Sequence, residues 1–181
     1  EKDFEIPATI SDIYDNFNAL IVGRAVVSSK VEFIDVYFKE RILSIYALEL
    51  LKRPTHQSMD KDEFVRFFVD YFDNKSLPIK KGNLSDALDY IVKHTGILFL
   101  KDGKYVQFTH ASYMEYYAAV EIFKFDRELE KSYIDNFYDP NWQNSSIFYA
   151  GKSKDMPKFL QNILDKVKNG SVLPLDTVPK E

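Results

Sequence analysis

The stretch ILFLKDGKYVQF, residues 97–108, predicts a β-hairpin, because Asp102-Gly103 suits the positive φ angles of a type I′ turn. A two-stranded hairpin alone is marginally stable in water, so this one must pack against helices. Three helices are predicted directly before it and one directly after it, which is the order of a winged helix. The sequence therefore predicts a mainly α fold: a winged-helix domain with a two-stranded β hairpin, flanked by additional helices.

Four helices in all are predicted before the hairpin, each from apolar residues at helical spacing. Hydroxyl and carboxyl groups in the run 9–12 suit the start of the first helix, and Asp60 with Glu63 suits the start of the third as a capping box. Pro54 ends the second helix, and the segment 31–37 is either strand or linker. The four apolar sets are Ile13, Phe17, Leu20 and Ile21; Phe38, Ile42, Ile45, Tyr46, Leu48 and Leu51; Phe64, Phe67, Phe68, Tyr71 and Phe72; and Leu84, Leu88, Ile91 and Val92.

Three more helices are predicted after the hairpin. The first begins either at Thr109 or with a capping box over residues 112–115. The second and third cover 127–137 and 157–167, with a turn at 139–141 between them. The aromatic residues expected to pack in the core here are Tyr113, Tyr116, Tyr117, Phe123 and Trp142.

Composition excludes several classes of protein. The 181 residues contain no cysteine, which rules out disulfide scaffolds, thiolate zinc sites and cysteine nucleophiles. Lys and Arg number 24 against 28 Asp and Glu, and this net charge of −4 disfavours a nucleic-acid backbone as main partner. The chain begins with Glu1 and has neither a basic, apolar leader nor an apolar run of membrane-spanning length, so we expect a cytoplasmic protein.

No group of residues has the spacing of a catalytic or metal-binding motif. Gly151-Lys152-Ser153 is the ending of a phosphate-binding loop, but the glycine needed five positions earlier is Ser146, so a lysine in a polar turn is expected instead. His56, His94 and His110 do not have the spacing of metal ligands. We therefore expect no catalytic residue, no metal site and no enzymatic activity in this chain.

His110 has a position that suits an anion. It follows the second predicted strand and precedes a predicted helix. The first N–H groups and the dipole of a helix favour negative charge at that end. An imidazole there can donate a hydrogen bond to a phosphate oxygen, and the alternative is an ordinary polar cap.

Residues 108–119, FTHASYMEYYAA, resemble the F-x-H-x-[ST]-[FY]-x-E-[FY]-[FY]-A-A stretch in the winged-helix domain of NACHT-type STAND ATPases, the NLR-like signalling proteins. Ile6-Pro7 with Ile13-Tyr14 resembles the entry to the helix that follows the ATPase core in that family. The helix that ends near Leu51 and the segment of Trp142 with Ala150-Gly151 also resemble parts of the family pattern. At positions 113 and 114, Tyr and Met stand where the family often has Phe and Gln.

The resemblance implies a nucleotide-dependent switch. In this family the histidine of the motif contacts the β-phosphate of ADP in the closed state, and exchange for ATP frees the winged helix and lets subunits assemble. By this resemblance His110 is a nucleotide-phosphate sensor that acts only together with an ATPase core, which is expected N-terminal to Glu1. ATP or ADP is then the cofactor of the full-length protein, the core is a partner in cis, and homo-oligomers of that protein form in cytoplasmic signalling or defence.

The resemblance also divides the chain into four parts. Residues 1–36 link to the missing core, 37–125 form the winged-helix domain, 126–170 form a helical region, and 171–181 form a tail. The resemblance implies neither membrane binding nor nucleic-acid binding.

The alternative is a stand-alone winged-helix module that binds DNA or another protein. In DNA-binding winged helices the helix before the hairpin enters the major groove and is basic. Here that helix carries Asp86 and Asp89 against Lys93, which favours the regulatory segment over the DNA-binding module.

Overall fold

The computed structural model describes residues 9–24, 36–53, 58–73, 75, 84–153 and 156–169. Within these ranges the chain is mainly helical with one small antiparallel sheet, as predicted. Several sequence predictions lie outside the described residues: the helix break at 28–30, the segment 31–35, the helix-ending Pro54, most of the loop at 74–82, and the tail from 171.

The described elements follow the winged-helix order of helix, strand, two helices and hairpin, with further helices on both sides. The helices are α1 Ile10–Arg24, α2 Val36–Leu51, α3 Lys61–Phe72, α4 Leu84–His94, α5 Ala111–Val120, α6 Glu130–Asp135, α7 Pro140–Lys152 and α8 Met156–Lys168. The strands are β1 Met59–Asp60, β2 Leu98–Lys101 and β3 Tyr105–Phe108. A π-helical turn, Glu121–Phe125, continues α5, and a 3₁₀ turn, Arg127–Leu129, precedes α6.

The hairpin of β2 and β3, here called the wing, confirms the predicted turn. Asp102 has φ 53° and Gly103 has φ 67°, and the Lys104 N–H donates to the Lys101 carbonyl at 3.0 Å. The prediction of a two-stranded sheet is incomplete, because β1 pairs with β3 and gives the strand order β1-β3-β2. A strand of only two residues is too short to produce an alternating sequence pattern.

Helices α2 and α5 lie side by side at the centre of the fold. Ile42 on α2 and Ala118 on α5 are both fully buried. Tyr46 ties α2 to the sheet, since its hydroxyl donates to the Val106 carbonyl at 2.7 Å and accepts from the Met59 N–H at 3.2 Å. Burial raises the pKa of Tyr46 well above its ordinary value, so this phenol stays protonated and able to donate.

The two helices before the wing begin and end largely as predicted. Asp60 caps α3 by accepting from the Glu63 N–H at 2.9 Å, while the Glu63 carboxylate binds Arg53 instead of closing the capping box. The predicted stripe of α4, which includes Leu88 and Ile91, is buried. Gly96, with φ 69°, lies just past the end of α4, where a left-handed residue is expected.

The region after α5 corrects two predictions. The expected turn at 139–141 is wrong: Asp139 caps α7 by accepting from the Asn141 N–H at 2.9 Å, and Pro140 is the first residue of the helix. An Asp-Pro pair suits a turn, but it suits a helix start equally well, with Asp as the cap and Pro as the first helical residue. The helix expected over 127–137 is shorter, because it consists of the 3₁₀ turn and the six residues of α6. The prediction of Trp142 as a packing residue is confirmed, since it is buried against Tyr133.

Helix α1 forms as predicted, but its apolar stripe is not in the core. Thr9 and Asp12 cap its N terminus through reciprocal hydrogen bonds. Ile13, Phe17 and Leu20 are 53, 44 and 53 % exposed. The four-part division of the chain stays a prediction, since buried residues of α1, α7 and α8 belong to the same hydrophobic cluster as α2 and α5.

Candidate functional site

His110 is the residue that joins the wing to α5. Its backbone is extended, with φ −140° and ψ 143°, and it occupies the cap position of the helix. Neither predicted cap is present: the Thr109 hydroxyl donates to the Ile97 carbonyl at 3.1 Å, and the Glu115 carboxylate accepts from Asn144. Pairing of the two strands places Thr109 opposite Ile97, so its hydroxyl reaches that carbonyl before it can reach the helix.

The backbone around His110 is held on both sides. Before it, the Thr109 N–H donates to the Ile97 carbonyl at 2.9 Å and extends the strand pairing. After it, α5 is anchored in the core, with Met114 and Tyr117 each 1 % exposed. His110 itself is exposed. An exposed imidazole is therefore carried at a fixed point on a rigid helix.

The electrostatics at this point suit an anion. Helix α5 is ten residues long, and no described side chain hydrogen-bonds to its first turn as a cap. The first N–H groups of a helix lack partners within the helix, and its dipole adds positive potential at that end. A phosphate oxygen near His110 is thus able to accept from the imidazole N–H and from the first turn of α5 at once.

Aromatic rings connect His110 to α1. The Tyr113 ring lies 6.1 Å from the His110 ring and is stacked on Phe17 of α1, with 6.0 Å between the centroids and 10° between the planes. Tyr14 meets the same Tyr113 ring edge-on at 5.8 Å. Burial raises the pKa of the Tyr113 hydroxyl. The site is therefore bordered by α1, a neighbour that the sequence pattern did not associate with it.

Gly151 and Lys152 are the last two residues of α7 and Ser153 is its C-cap, so the expectation of a lysine in a polar turn is wrong. The Lys152 side chain is 4 % exposed, and its ammonium forms an ion pair with Asp15 of α1. Burial lowers the pKa of Lys152, and its bond to Asp15 opposes that shift. A Cβ at Gly151 would lie 2.5 Å from the Ser11 hydroxyl, so glycine permits the close approach of α1 and α7.

The other histidines and the carboxylates do not form a second centre in the described residues. His94 is exposed and lies against the Tyr90 ring at 4.6 Å, while His56 is outside the described ranges. Among the residues that the structure describes, no group of three or more histidines and carboxylates is arranged to hold a metal ion.

Helix α4 does not present the basic face of a DNA-reading helix. The Asp89 carboxylate accepts from Lys93 at 2.6 Å and from Lys61 at 2.9 Å, and these bonds lower the pKa of Asp89. Lys61 and Lys93 are thereby both engaged with this carboxylate. The local charge is balanced, which does not favour a phosphate backbone here.

A polar groove of about 450 Å³ lies between the wing and the start of α3, away from His110. The guanidinium of Arg53, which lines this groove, already donates to the Glu63 carboxylate at 2.8 Å. Both positive and negative side chains line the groove, so neither anionic nor cationic ligands are favoured. The lining residues are Arg53, Ser58, Asp60, Glu63, Lys101, Asp102, Tyr105 and Gln107.

Comparisons with known proteins add no information about the candidate site. No family model matches the sequence, and searches of curated proteins and of solved structures gave no significant match. Within the described ranges, every helix is too short or too polar to cross a membrane.

Proposed function

We propose that this chain is the non-catalytic regulatory segment of a NACHT-type STAND ATPase, in which it controls a nucleotide-dependent switch of conformation and assembly. The observation that supports this proposal is His110. It is an exposed imidazole at the uncapped N terminus of a rigid, buried helix, within the stretch 108–119 that resembles the family motif. The proposal places the protein in cytoplasmic signalling or defence.

In the proposed mechanism, a core elsewhere in the same polypeptide holds ADP or ATP. The His110 imidazole donates to a phosphate oxygen of ADP in the closed state only. A ligand shifts an equilibrium between two states only through contacts that differ between them, and this contact is such a difference. A hydrogen bond to a charged group contributes about 1.5–3 kcal/mol, which biases the closed state by about ten- to a hundredfold.

Hydrolysis is assigned to the core, and this chain supplies the switch. When ATP replaces ADP, the His110 contact is lost, and α5 moves with the wing as one unit, because His110 alone separates the helix from Thr109, which is hydrogen-bonded to Ile97 at the end of the strand pairing. Release of that unit exposes surface for assembly with further copies of the full-length protein. The expected partners are therefore the core in cis and homo-oligomers in trans.

The test compares two exposed histidines in the polypeptide that carries the core. We expect His110→Ala to speed the dissociation of a fluorescent ADP analogue by about tenfold or more, because one phosphate contact is removed. His94→Ala, on α4, is the matched control and should keep the wild-type rate. Light scattering should also find more spontaneous oligomer with His110→Ala. Equal rates and equal oligomer size in the two variants would contradict the sensing role.

The isolated 181-residue chain gives a second test. It holds only one side of the proposed phosphate contact, so calorimetry with ATP or ADP should give no measurable heat of binding. Tight binding of either nucleotide by the isolated chain would overturn the proposal that the nucleotide is held by a separate core.

A further inference from the structure

The hydrogen-bonding pattern of α5 changes at its C-terminal end. Residues 121–125 form the π turn, in which the Asp126 N–H donates to the Glu121 carbonyl, five residues back, at 3.0 Å. An α-helix closes the same bond over four residues, so the π turn holds one extra residue. Turns of this kind are rare, and inside helices they are frequently found at functional sites. The backbone here thus occupies one of two registers that a helix can form.

The first residue of the π turn carries a buried carboxylate. Glu121 is 5 % exposed, and the Arg41 guanidinium of α2 forms an ion pair with it. A charged carboxylate is costly to remove from water unless it is paired and hydrogen-bonded. Arg41 is therefore the group that permits a negative charge on Glu121 at this depth.

Arg41 also binds the last residue of the π turn. Its guanidinium lies 4.3 Å from the centre of the Phe125 ring, within the range of a cation–π contact. Its Nη2 donates to the Tyr71 hydroxyl of α3 at 2.7 Å. One side chain therefore contacts both ends of the π turn and is itself fixed by α3.

The residues between the two ends have partners that suit this register. The Lys124 ammonium binds the Glu40 carboxylate of α2 at 2.8 Å, and the Phe123 ring meets the Tyr149 ring of α7 edge-on at 6.2 Å. A change to the α register would turn residues 122–125 about the helix axis, because one residue fewer closes the turn. The two registers therefore have different sets of side-chain contacts, and α2 supplies most of those that hold the π register.

We propose that the π turn is an acid-sensitive register switch whose latch is the ion pair of Arg41 with Glu121. A proton on Glu121 removes its negative charge and weakens the charge-assisted bond to Arg41. The Glu121 carbonyl then accepts from the Phe125 N–H, as in an α-helix. Helix α6 begins at Glu130, shortly after the turn, so the new register changes the direction in which the following helices leave α5. The switch needs no nucleotide and is separate from the proposed role of His110.

The surroundings of Glu121 favour its protonated form. Burial raises the pKa of Glu121, and the nearby Asp126 carboxylate acts in the same direction. Arg41 of α2 and Lys75, which follows α3, oppose the rise. A carboxyl whose pKa is raised in the folded chain binds its proton at a higher pH than in the unfolded chain. Protonation of Glu121 therefore favours the folded state, and acid changes the register without unfolding the chain through this group.

Other titratable and charged groups around the π turn are bonded to partners other than Glu121. Tyr71 binds Arg41, and Glu40 binds Lys124. The remaining two are Arg127, which donates to the Phe123 carbonyl, and Tyr149, which donates to Glu130. Glu121 is therefore the group whose proton opens the latch.

NMR couplings across hydrogen bonds report the register of the 181-residue chain directly. At neutral pH the amide nitrogen of Asp126 should couple to the carbonyl carbon of Glu121, and that of Phe125 should not. The first coupling should disappear and the second should appear over the pH range in which the Glu121 carboxyl carbon shifts. An Asp126 coupling that persists after Glu121 is protonated would overturn the inference, and so would unfolding of the chain before the couplings exchange.

Two variants separate the charge of Glu121 from the general effect of acid. Glu121→Gln is uncharged at every pH, so it should show the α-helical coupling at neutral pH and no change on acidification. Glu115→Gln removes a carboxylate of the same helix, one that binds Asn144, and should keep the wild-type transition. A Glu121→Gln chain that retains the Asp126 coupling, or a Glu115→Gln chain that loses the transition, would contradict the latch.

A conservative change at Arg41 tests the other side of the ion pair. Arg41→Lys keeps the positive charge but lacks the planar fork that bonds Glu121 and Tyr71 at once. A weaker pair lets Glu121 take up its proton more readily, so the exchange of couplings should move to a higher pH by about half a unit or more. An unchanged or lower transition pH would overturn the role of Arg41.

Discussion

Helices α1 and α4 both carry apolar residues on one helical face, but that face points into the core in α4 and toward solvent in α1. Both have apolar residues at helical spacing. In α4, Leu88 and Ile91 are fully buried, whereas in α1, Ile13 and Leu20 are each 53 % exposed. The spacing of apolar residues predicts a helix in both cases, but it does not determine what covers the stripe.

The difference comes from the polar groups that each helix meets. The fold buries the Tyr116 and Tyr117 side chains of α5 and the side chain of Lys152. A buried hydroxyl or ammonium without a partner costs several kcal/mol, so these groups need acceptors. Asp15 and Asn18 of α1 supply them. Satisfying these groups outweighs burying the apolar residues Ile13, Phe17 and Leu20, which stay about half exposed in the described part of the chain.

The largest difference between the two helices is expected from leucine truncation. Leu88→Ala in α4 should lower the free energy of unfolding by about 2–5 kcal/mol, because Leu88 is fully buried. Leu20→Ala in α1 should change it by less than about 0.5 kcal/mol, because half of Leu20 is exposed. Urea denaturation of the 181-residue chain measures both. Equal losses would mean that the apolar stripe of α1 is already covered within this chain.

Next in size is the loss of a carboxylate that holds α1. Asp15→Ala should lower the free energy of unfolding by about 1–3 kcal/mol, because it leaves the ammonium of the buried Lys152 side chain and the Tyr116 hydroxyl without their acceptor. Asp135→Ala is the matched control: Asp135 is similarly exposed, at 50 against 44 %, but its partner Lys166 is more accessible. That control should lose no more than about 1 kcal/mol. Equal losses would break the argument that buried polar contacts orient α1.

The smallest of the three effects is a fall in the free energy of unfolding as the pH rises above about 10. Burial keeps the Tyr117 phenol protonated in the folded chain above the ordinary pKa of about 10, whereas the unfolded chain releases that proton. The contribution of Tyr117 is therefore fully present below pH 10 and falls by about 1.4 kcal/mol per pH unit above it. Tyr117→Phe removes this dependence, so urea denaturation between pH 9 and 11 should give a shallower decline for the variant. If the free energies of unfolding of the wild type and the variant fell in parallel above pH 10, the burial of this phenol would be contradicted. As an internal control, the two free energies should change in parallel between pH 7 and 9.

Local signals in the sequence are sufficient for most of the fold. The positive φ angles at Asp102-Gly103, the cap at Asp60 and the buried stripe of α4 each depend on neighbouring residues, and all three predictions are confirmed. The third strand was missed because two residues give no alternation. The cap of α7 was missed because Asp139-Pro140 has the composition of a turn as well as of a helix start.

Less of the candidate site could be predicted. The location of His110 between wing and helix follows from the local pattern and is confirmed, while its role stays a prediction. Its aromatic link to α1 through Tyr113 and Phe17 joins residues that are about a hundred positions apart, and no pattern in one sequence shows such a contact. The burial of Lys152 was missed for the same reason, since its partner Asp15 is 137 positions away.

The coding sequence upstream of Glu1 gives the most direct test of the central claim, that this chain is the switch of a nucleotide-holding core. Sequencing the intact reading frame should find a G-x-x-x-x-G-K-[ST] phosphate-binding loop within a few hundred codons, after a buried strand and before a helix. A frame that starts next to Glu1, or one that encodes no such loop, would contradict the claim.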